Sequence, residues 1–367
     1  MLKIMPAALA AALITIGAAQ FPAQAQAPQG YPADYSKLVD AAKKEGKVVI
    51  YSTTDAVAAN PLIKDFEALY PGIKVEYSDL NSTELYNRFI AEAAANNGTG
   101  DVIWSSAMDL QVKLVADGQA LTYASPEIAA LPKWAVWKDA AYGTTYEPIA
   151  FVYNKRLVPE ADVPKDHSDL LKLLNAKPDF YKGKITAYDP ERSGVGFLFC
   201  NEDVKNFPAA WDLFKAFGKV QAKLYTSAGA MMERVTSGEH LIAYGIFGSY
   251  ALGRSKKDPN LGIVLPTDYT MVTSRVAFIS KQAKNPNAGK LFLDYLLSRR
   301  GQEIVANKAD LYSLRSDVEG EATLKRVTQL IGDKARPVPI GPELLENLDQ
   351  TKRLAFLSHW QAAKKGQ

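Results

Sequence analysis

The sequence predicts an α/β protein of two lobes, each a mostly parallel sheet flanked by helices, joined by extended hinge strands. Three observations carry that expectation. β-Branched runs alternate with amphipathic helical stretches along nearly the whole chain, the pattern of βαβ units. About 340 residues follow an apparent leader, more than one hydrophobic core usually serves. No low-complexity linker or repeat separates the two α/β blocks, so shared crossings fit better than a flexible tether.

The elements follow in order. Residues 1–27 read as a cleavable export signal, with Lys3 as the positive start and an apolar run over 7–19. Ala23-Gln24-Ala25 and Ala25-Gln26-Ala27 offer small-x-small cleavage sites, and the run is shorter than the roughly 20 residues a spanning helix needs. The first lobe opens with a buried strand over 47–53, then a helix capped at Asn60-Pro61 with Ile63, Phe66 and Tyr70 on one face. Pro71-Gly72 stops it, and 73–77 is the next strand. Asn81 with Glu84 three residues on forms a capping box for a helix burying Leu85, Phe89, Ile90 and Ala93. A third strand over 101–105 precedes a helix that ends at Gly118. The second block shows strands over 149–153, 184–187 and 240–245, with helices over 167–174 and 209–217. Alternation resumes with a strand over 276–280 and a helix over 288–297. The expected division is lobe one over 28–147, lobe two over 148–268, and over 269–367 a return to lobe one with C-terminal helices.

Composition excludes several classes. Removing Lys3 with the leader takes the formal charge from +3 to +2, with both signs mixed along the chain. A nucleic-acid surface would show a concentrated basic face, so no nucleic-acid partner is expected. Cys200 is the single cysteine and there are three histidines, which excludes a disulfide framework and a histidine-rich metal site. No Gly-x-Ser-x-Gly or His-Glu-x-x-His motif is present, so no enzyme is expected, although two carboxylates of a glycosidase type can meet in space anywhere in such a fold.

Four segments in succession, KVVIYST, PLIKDFEALYPGIKVEY, GTGDVIWSS and VKLVADGQAL, resemble the opening lobe of type II periplasmic solute-binding proteins of ABC importers. AAYGTTYEPIAFVYNKRLV resembles that family's first hinge crossing, and VAFISKQAKNPNAGKLFLDYLLSRRGQEIV its return to lobe one. The likeness covers nearly all of the chain after residue 35 and is strongest to the ferric-iron and phosphorylated-solute branch. It implies a two-lobed clam that holds a small-molecule solute in its cleft in the periplasm. It also implies a monomer that presents its closed form to a membrane permease and carries no cofactor.

Ligands of open α/β sheets sit beyond the carboxyl ends of strands, where loops and helix N-termini point their N–H groups. Four loops are therefore candidates. Thr53 and Thr54 follow the first strand, and Ser105 and Ser106 follow the third; both pairs also suit plain turns and caps. Tyr146 and Glu147 lie in the hinge crossing, where an aromatic serves interlobe packing equally well. Arg192, Ser193 and Gly194 sit in a loop that opens a helix, offering a cation, a hydroxyl and close backbone approach. Tyr244 and Tyr250 complete the wall, or belong to the core. Hydroxyls and N–H groups favour a small organic anion, phosphorylated solutes included. A ferric site from Tyr244, Tyr250 and Glu147 is the alternative, but iron-binding relatives carry adjacent tyrosines where this chain has Tyr244-Gly245. A receptor feeding a sensor rather than a permease would share the same sequence features.

Overall fold

The computed structural model describes residues 31–367, and the expected leader over 1–27 lies outside the described residues. Two sheets organise the chain. The first runs from edge to edge as Lys74–Asp79, Lys47–Ser52, Val102–Ser105, Val276–Ile279, Ala141–Gly143 and Val136–Trp137. Its first three strands are parallel, as βαβ alternation requires, and the return strand Val276–Ile279 pairs antiparallel with Val102–Ser105. The second sheet is ordered Ala335–Pro337, Thr270–Thr273, Glu147–Asn154, Ile242–Phe247, Ile185–Tyr188 and Lys223–Tyr225, with Leu261–Val264 also paired to Glu147–Asn154. Among the described residues no helix is long and apolar enough to cross a membrane.

Two stretches of chain pass between the sheets, side by side. Ala141–Gly143 runs on through Thr144, Thr145 and Tyr146 into Glu147–Asn154, and Thr270–Thr273 runs on through Ser274 and Arg275 into Val276–Ile279. They are tied to each other: Thr144 N–H donates to the Arg275 carbonyl at 2.9 Å, and Arg275 N–H donates to Thr145 Oγ1 at 2.9 Å. Buried crossings of this kind satisfy their backbone groups against one another, so they can bend without exposing unpaired donors.

Local chemistry sets the elements that reach the cleft between the sheets. The first helix after Lys47–Ser52 is Ala56–Leu69, one turn earlier than Asn60-Pro61 suggested, with Asp55 as N-cap and Pro61 inside it. Proline there denies a hydrogen bond to the carbonyl of Val57, four residues back. Val57 is 77 % exposed, so water can serve that carbonyl, which makes the interior proline tolerable. Asn81 caps Ser82–Ala94 as expected, accepting from Glu84 N–H at 2.9 Å. Ser193 caps Gly194–Asn206, accepting from Gly196 N–H at 3.1 Å, and Ser227 caps Ala228–Ser237 in the same way.

The expected division at 268/269 is displaced. Thr270–Thr273 still pairs with Glu147 and Pro148 of the second sheet, so the chain leaves that sheet only after it. The last helix, Gln350–Ala363, also packs on the second lobe, with the Trp360 ring 5.4 Å from that of Phe214. Sequence order concealed both, because a strand pairing is fixed by register and not by position along the chain.

One buried acid makes a testable signature of the first lobe. Asp109, in the first turn of Met108–Ala116, is buried, and that burial pushes its carboxyl up to about 7 against the opposing pull of the Leu110 N–H. A raised folded-state value means the protonated form stabilises the fold. That contribution is complete below the unfolded value of 3.8 and is lost as pH rises through 7. Asp109→Asn should therefore gain on the parent by a few kcal/mol, on an order-of-magnitude scale, between pH 4 and pH 8 in paired urea titrations. A pH-independent difference would remove this account of Asp109.

Candidate functional site

A cavity of about 180 Å³ lies between the two sheets at the carboxyl ends of their strands. One wall comes from the first lobe, with Thr53, Asp55, Asp79, Asn81, Ser82 and Ser106; the other from the second, with Tyr188, Ser193, Thr226, Ser227, Phe247 and Tyr250. Arg275, from the second crossing, also lines it. The N-caps Asn81, Ser193 and Ser227 stand in this lining, so three helices open on the cavity with their positive ends. Each cap takes one first-turn N–H.

The two walls touch. Val195 N–H donates to Ser82 Oγ at 3.4 Å, and the Thr83 hydroxyl donates to the Arg192 carbonyl at 3.1 Å. Tyr250 Oη lies 3.1 Å from Asp55 Oδ1 and accepts from Asp55 N–H at 3.2 Å. Gly194 permits this approach: a Cβ there would lie 2.8 Å from Leu110 Cδ1. The two lobes are therefore in contact across the cleft.

Behind the cavity sits a buried ion pair. Arg275 Nε is 2.7 Å from Glu147 Oε1, with the two side chains 1 % and 0 % exposed. Arg275 also donates to Thr54 Oγ1 at 3.0 Å and faces the Tyr250 ring at 5.0 Å. Burial opposes its charge, but the carboxylate of Glu147 outweighs burial and holds the guanidinium firmly protonated. On the first-lobe wall, burial raises the Asp79 carboxyl despite the N–H of Ala56. Burial pushes the Tyr250 phenol up to about 12 and moves that of Tyr188 upward as well, so both are neutral donors at physiological pH.

Of the candidates read from sequence, Thr53, Ser106, Ser193 and Tyr250 line the cavity, and Gly194 makes the interlobe approach beside it. Thr53 Oγ1 and Ser106 Oγ are 3.0 Å apart. Thr54 and Glu147 lie behind the wall as partners of Arg275. Ser105 turns its hydroxyl to the Ala107 N–H at 3.2 Å, a turn role. Three residues go elsewhere. Tyr146 is buried against Trp134, with ring centroids 5.9 Å apart. The Arg192 side chain is exposed, and only its carbonyl takes part in the interlobe contact. Tyr244 is buried in the second lobe, where its hydroxyl donates to Asp203 at 2.7 Å. Tyr244 is thus not brought together with Tyr250 and Glu147, the set an iron site would have used.

Sequence reasoning missed Tyr188, Asp79, Ser82, Ser227 and Arg275. Arg275 carried a signal: a charge inside the run TMVTSRVAFI, where arginine is almost never buried unless paired. Tyr188 is the most informative of the five. It is 7 % exposed, it ends the strand Ile185–Tyr188, and its hydroxyl has no hydrogen-bond partner among the described residues although it lines the cavity.

Over 87 % of this chain and 94 % of the other, the fold matches the substrate-binding protein of an ABC transporter from Agrobacterium tumefaciens, at 38 % identity and a TM-score of 0.83. AfuA from Actinobacillus pleuropneumoniae, solved with exogenous fructose-6-phosphate bound, matches at 22 % identity and 0.72 over 87 % of this chain and 99 % of its own. Iron-bound HitA from Pseudomonas aeruginosa matches at 20 % and 0.69, over 86 % and 99 %. These last two likenesses concern the fold alone, a two-lobed periplasmic binding protein. Residues 61–330 match the family model described as bacterial extracellular solute-binding protein, and the chain belongs to that family.

Proposed function

We propose that this chain is the periplasmic solute-binding component of an ABC importer. It captures a small organic anion, phosphorylated solutes included, and delivers it in the closed cleft to a membrane permease. It acts by binding and not by catalysis, as a monomer, and without a nucleic-acid partner or cofactor. The lobes divide at the paired crossings, with Gln350–Ala363 assigned to the second. One observation carries the reading: three helix N-termini and a set of hydroxyls converge on one interlobe cavity, and the Tyr188 hydroxyl there has no hydrogen-bond partner among the described residues. An anion bound there would accept from that hydroxyl.

The physics of capture follows from the same contacts. A solute that bonds to both walls has differential affinity for the closed form and shifts the population toward it. Four or five charge-assisted bonds, at roughly 1.5–3 kcal/mol each, offset the immobilisation cost and leave binding near micromolar.

Native mass spectrometry of protein purified from the periplasm without refolding tests this. An added mass of an organic phosphate or carboxylate is the expected result, and the mass of one iron would overturn it. Tyr188→Phe should then weaken the solute so identified by about tenfold or more in calorimetric titration. Melting should stay unchanged, because the hydroxyl has no hydrogen-bond partner among the described residues. Equal affinity in parent and variant would take Tyr188 out of the site.

A further inference from the structure

We propose that Gly194 sets the distance at which the two walls of the cleft meet, and with it the length of solute that both walls hold at once. This rests on the anion site read above and deepens it with a residue that selects by size.

Gly194 opens the helix Gly194–Asn206 of the second lobe. Its backbone does not call for glycine, because its φ is not in the left-handed region that glycine favours. What calls for glycine is space. A Cβ there would lie 2.8 Å from Leu110 Cδ1, 3.2 Å from Ser82 Oγ and 3.4 Å from Ala107 Cβ. All three atoms belong to the first lobe, so the opposite wall occupies the room that a side chain would fill. Two other first-turn glycines differ. A Cβ on Gly196 would lie 2.9 Å from Tyr188 Cβ and 3.1 Å from the Asp189 carbonyl oxygen, within its own lobe. One on Gly229 would meet nothing nearer than Ser227 Oγ at 3.5 Å. Of these three, only Gly194 is kept small by the other lobe.

Interlobe hydrogen bonds gather on the same spot. The Arg192 carbonyl accepts from the Thr83 hydroxyl at 3.1 Å, and Val195 N–H donates to Ser82 Oγ at 3.4 Å. Residues 192 and 195 thus bind 82 and 83 on either side of Gly194, while Ser82, Ser193 and Val195 line the cavity. The contact acts as a stop. Ala107 is fully buried and Ser82 is 7 % exposed, so of the three opposing groups only the Leu110 methyl can swing aside. Close-packed contacts do not absorb added volume, so a branched side chain at 194 moves the stop outward. A short solute in the cavity of about 180 Å³ then loses its bonds to one wall, whereas a longer one still reaches both.

The test titrates full mature chains, stripped of bound solute, with 2-hydroxyethyl phosphate and its longer homologue 4-hydroxybutyl phosphate. The chains are the parent, Gly194→Ala, Gly194→Val and Gly229→Ala. Losing one or two bonds to a wall means that Gly194→Val weakens the short probe by about tenfold or more. The long probe should lose at least threefold less, and Gly194→Ala should fall between parent and valine. Gly229→Ala fills open space on another helix and should leave both affinities unchanged. The urea midpoint of solute-free Gly194→Val should match the parent's, because the lobes can part there without unfolding. Equal losses for the two probes would overturn the size role, and unchanged affinities would take Gly194 out of it; either result leaves the anion reading standing. A lowered urea midpoint would assign the glycine to the fold of the second lobe and overturn the proposal. Binding of neither probe by the parent would count against the anion reading and not against the stop. Small-angle scattering of the solute-free chains then decides: a larger radius of gyration in Gly194→Val upholds the stop, and an equal one overturns it.

Discussion

Arg275→Met should lower stability by about 3–5 kcal/mol and abolish solute binding. The stability term does not come from the strength of the ion pair as such, because desolvating two charges consumes most of their mutual attraction. It comes from what the substitution leaves behind. Glu147 is fully buried, and without the guanidinium its carboxylate keeps only the hydroxyls of Thr145 and Ser249. The location makes the effect functional. Glu147 begins the strand reached by the first crossing and Arg275 lies in the second, so the pair clamps the two segments that pass between the sheets. Pairing Arg275→Met with Glu147→Gln should recover much of the lost stability, since no unpaired charge then remains, while binding stays lost because Thr53 and Thr54 have lost the donor that holds their loop. Urea titrations of the parent, both single variants and the double variant give the coupling directly. A coupling near zero would remove the clamp, and full binding by Arg275→Met would show that the loop holds its shape unaided.

How much of this was legible in the sequence depends on the kind of physics involved. The βαβ alternation and the two lobes were legible because they rest on hydrophobic periodicity and chain length. Thr53, Ser106 and Ser193 were legible because small hydroxyl residues between a strand and a helix have few other places to point. Arg192, one residue before Ser193, was not: the N-cap geometry that turns Ser193 inward turns its neighbour to solvent. The tyrosines failed for a different reason. Every residue of Ile242–Phe247 is buried, so alternation could not say that Tyr244 faces Asp203 within the second lobe while Tyr250, on the next helix, faces the cleft. Tyr188 closes a strand buried throughout in the same way, and its unpartnered hydroxyl exists only relative to the opposite lobe. Contacts across a cleft are properties of two surfaces brought together from distant sequence, and no local pattern encodes them.

The C-terminal helix extends the same point to a prediction of comparable size. Trp360→Ala should cost about 3–5 kcal/mol, as a large aromatic lost from a packed site does. Trp360 is 2 % exposed and meets Phe214 edge-on, while Phe356 lies 5.1 Å from Trp211 and 5.4 Å from Phe197 by ring centroids. The fit extends to the backbone: a Cβ on Gly218 would stand 2.3 Å from the Ala363 carbonyl oxygen, so Ala210–Lys219 and the end of the last helix meet with no room for a side chain. Phe197 sits on Gly194–Asn206, the helix whose N-cap Ser193 lines the cavity. The last helix therefore braces the wall that receives the solute from behind, although its sequence lies farthest from it. Hydrogen exchange should show the loss in Trp360→Ala concentrated in Gly194–Asn206 and Ala210–Lys219, with the first sheet protected as before. A chain ended at residue 349 should lose still more, and weaken solute binding through a disordered Ser193 cap. Unchanged stability and binding in that shortened chain would mean that the second lobe holds its wall alone.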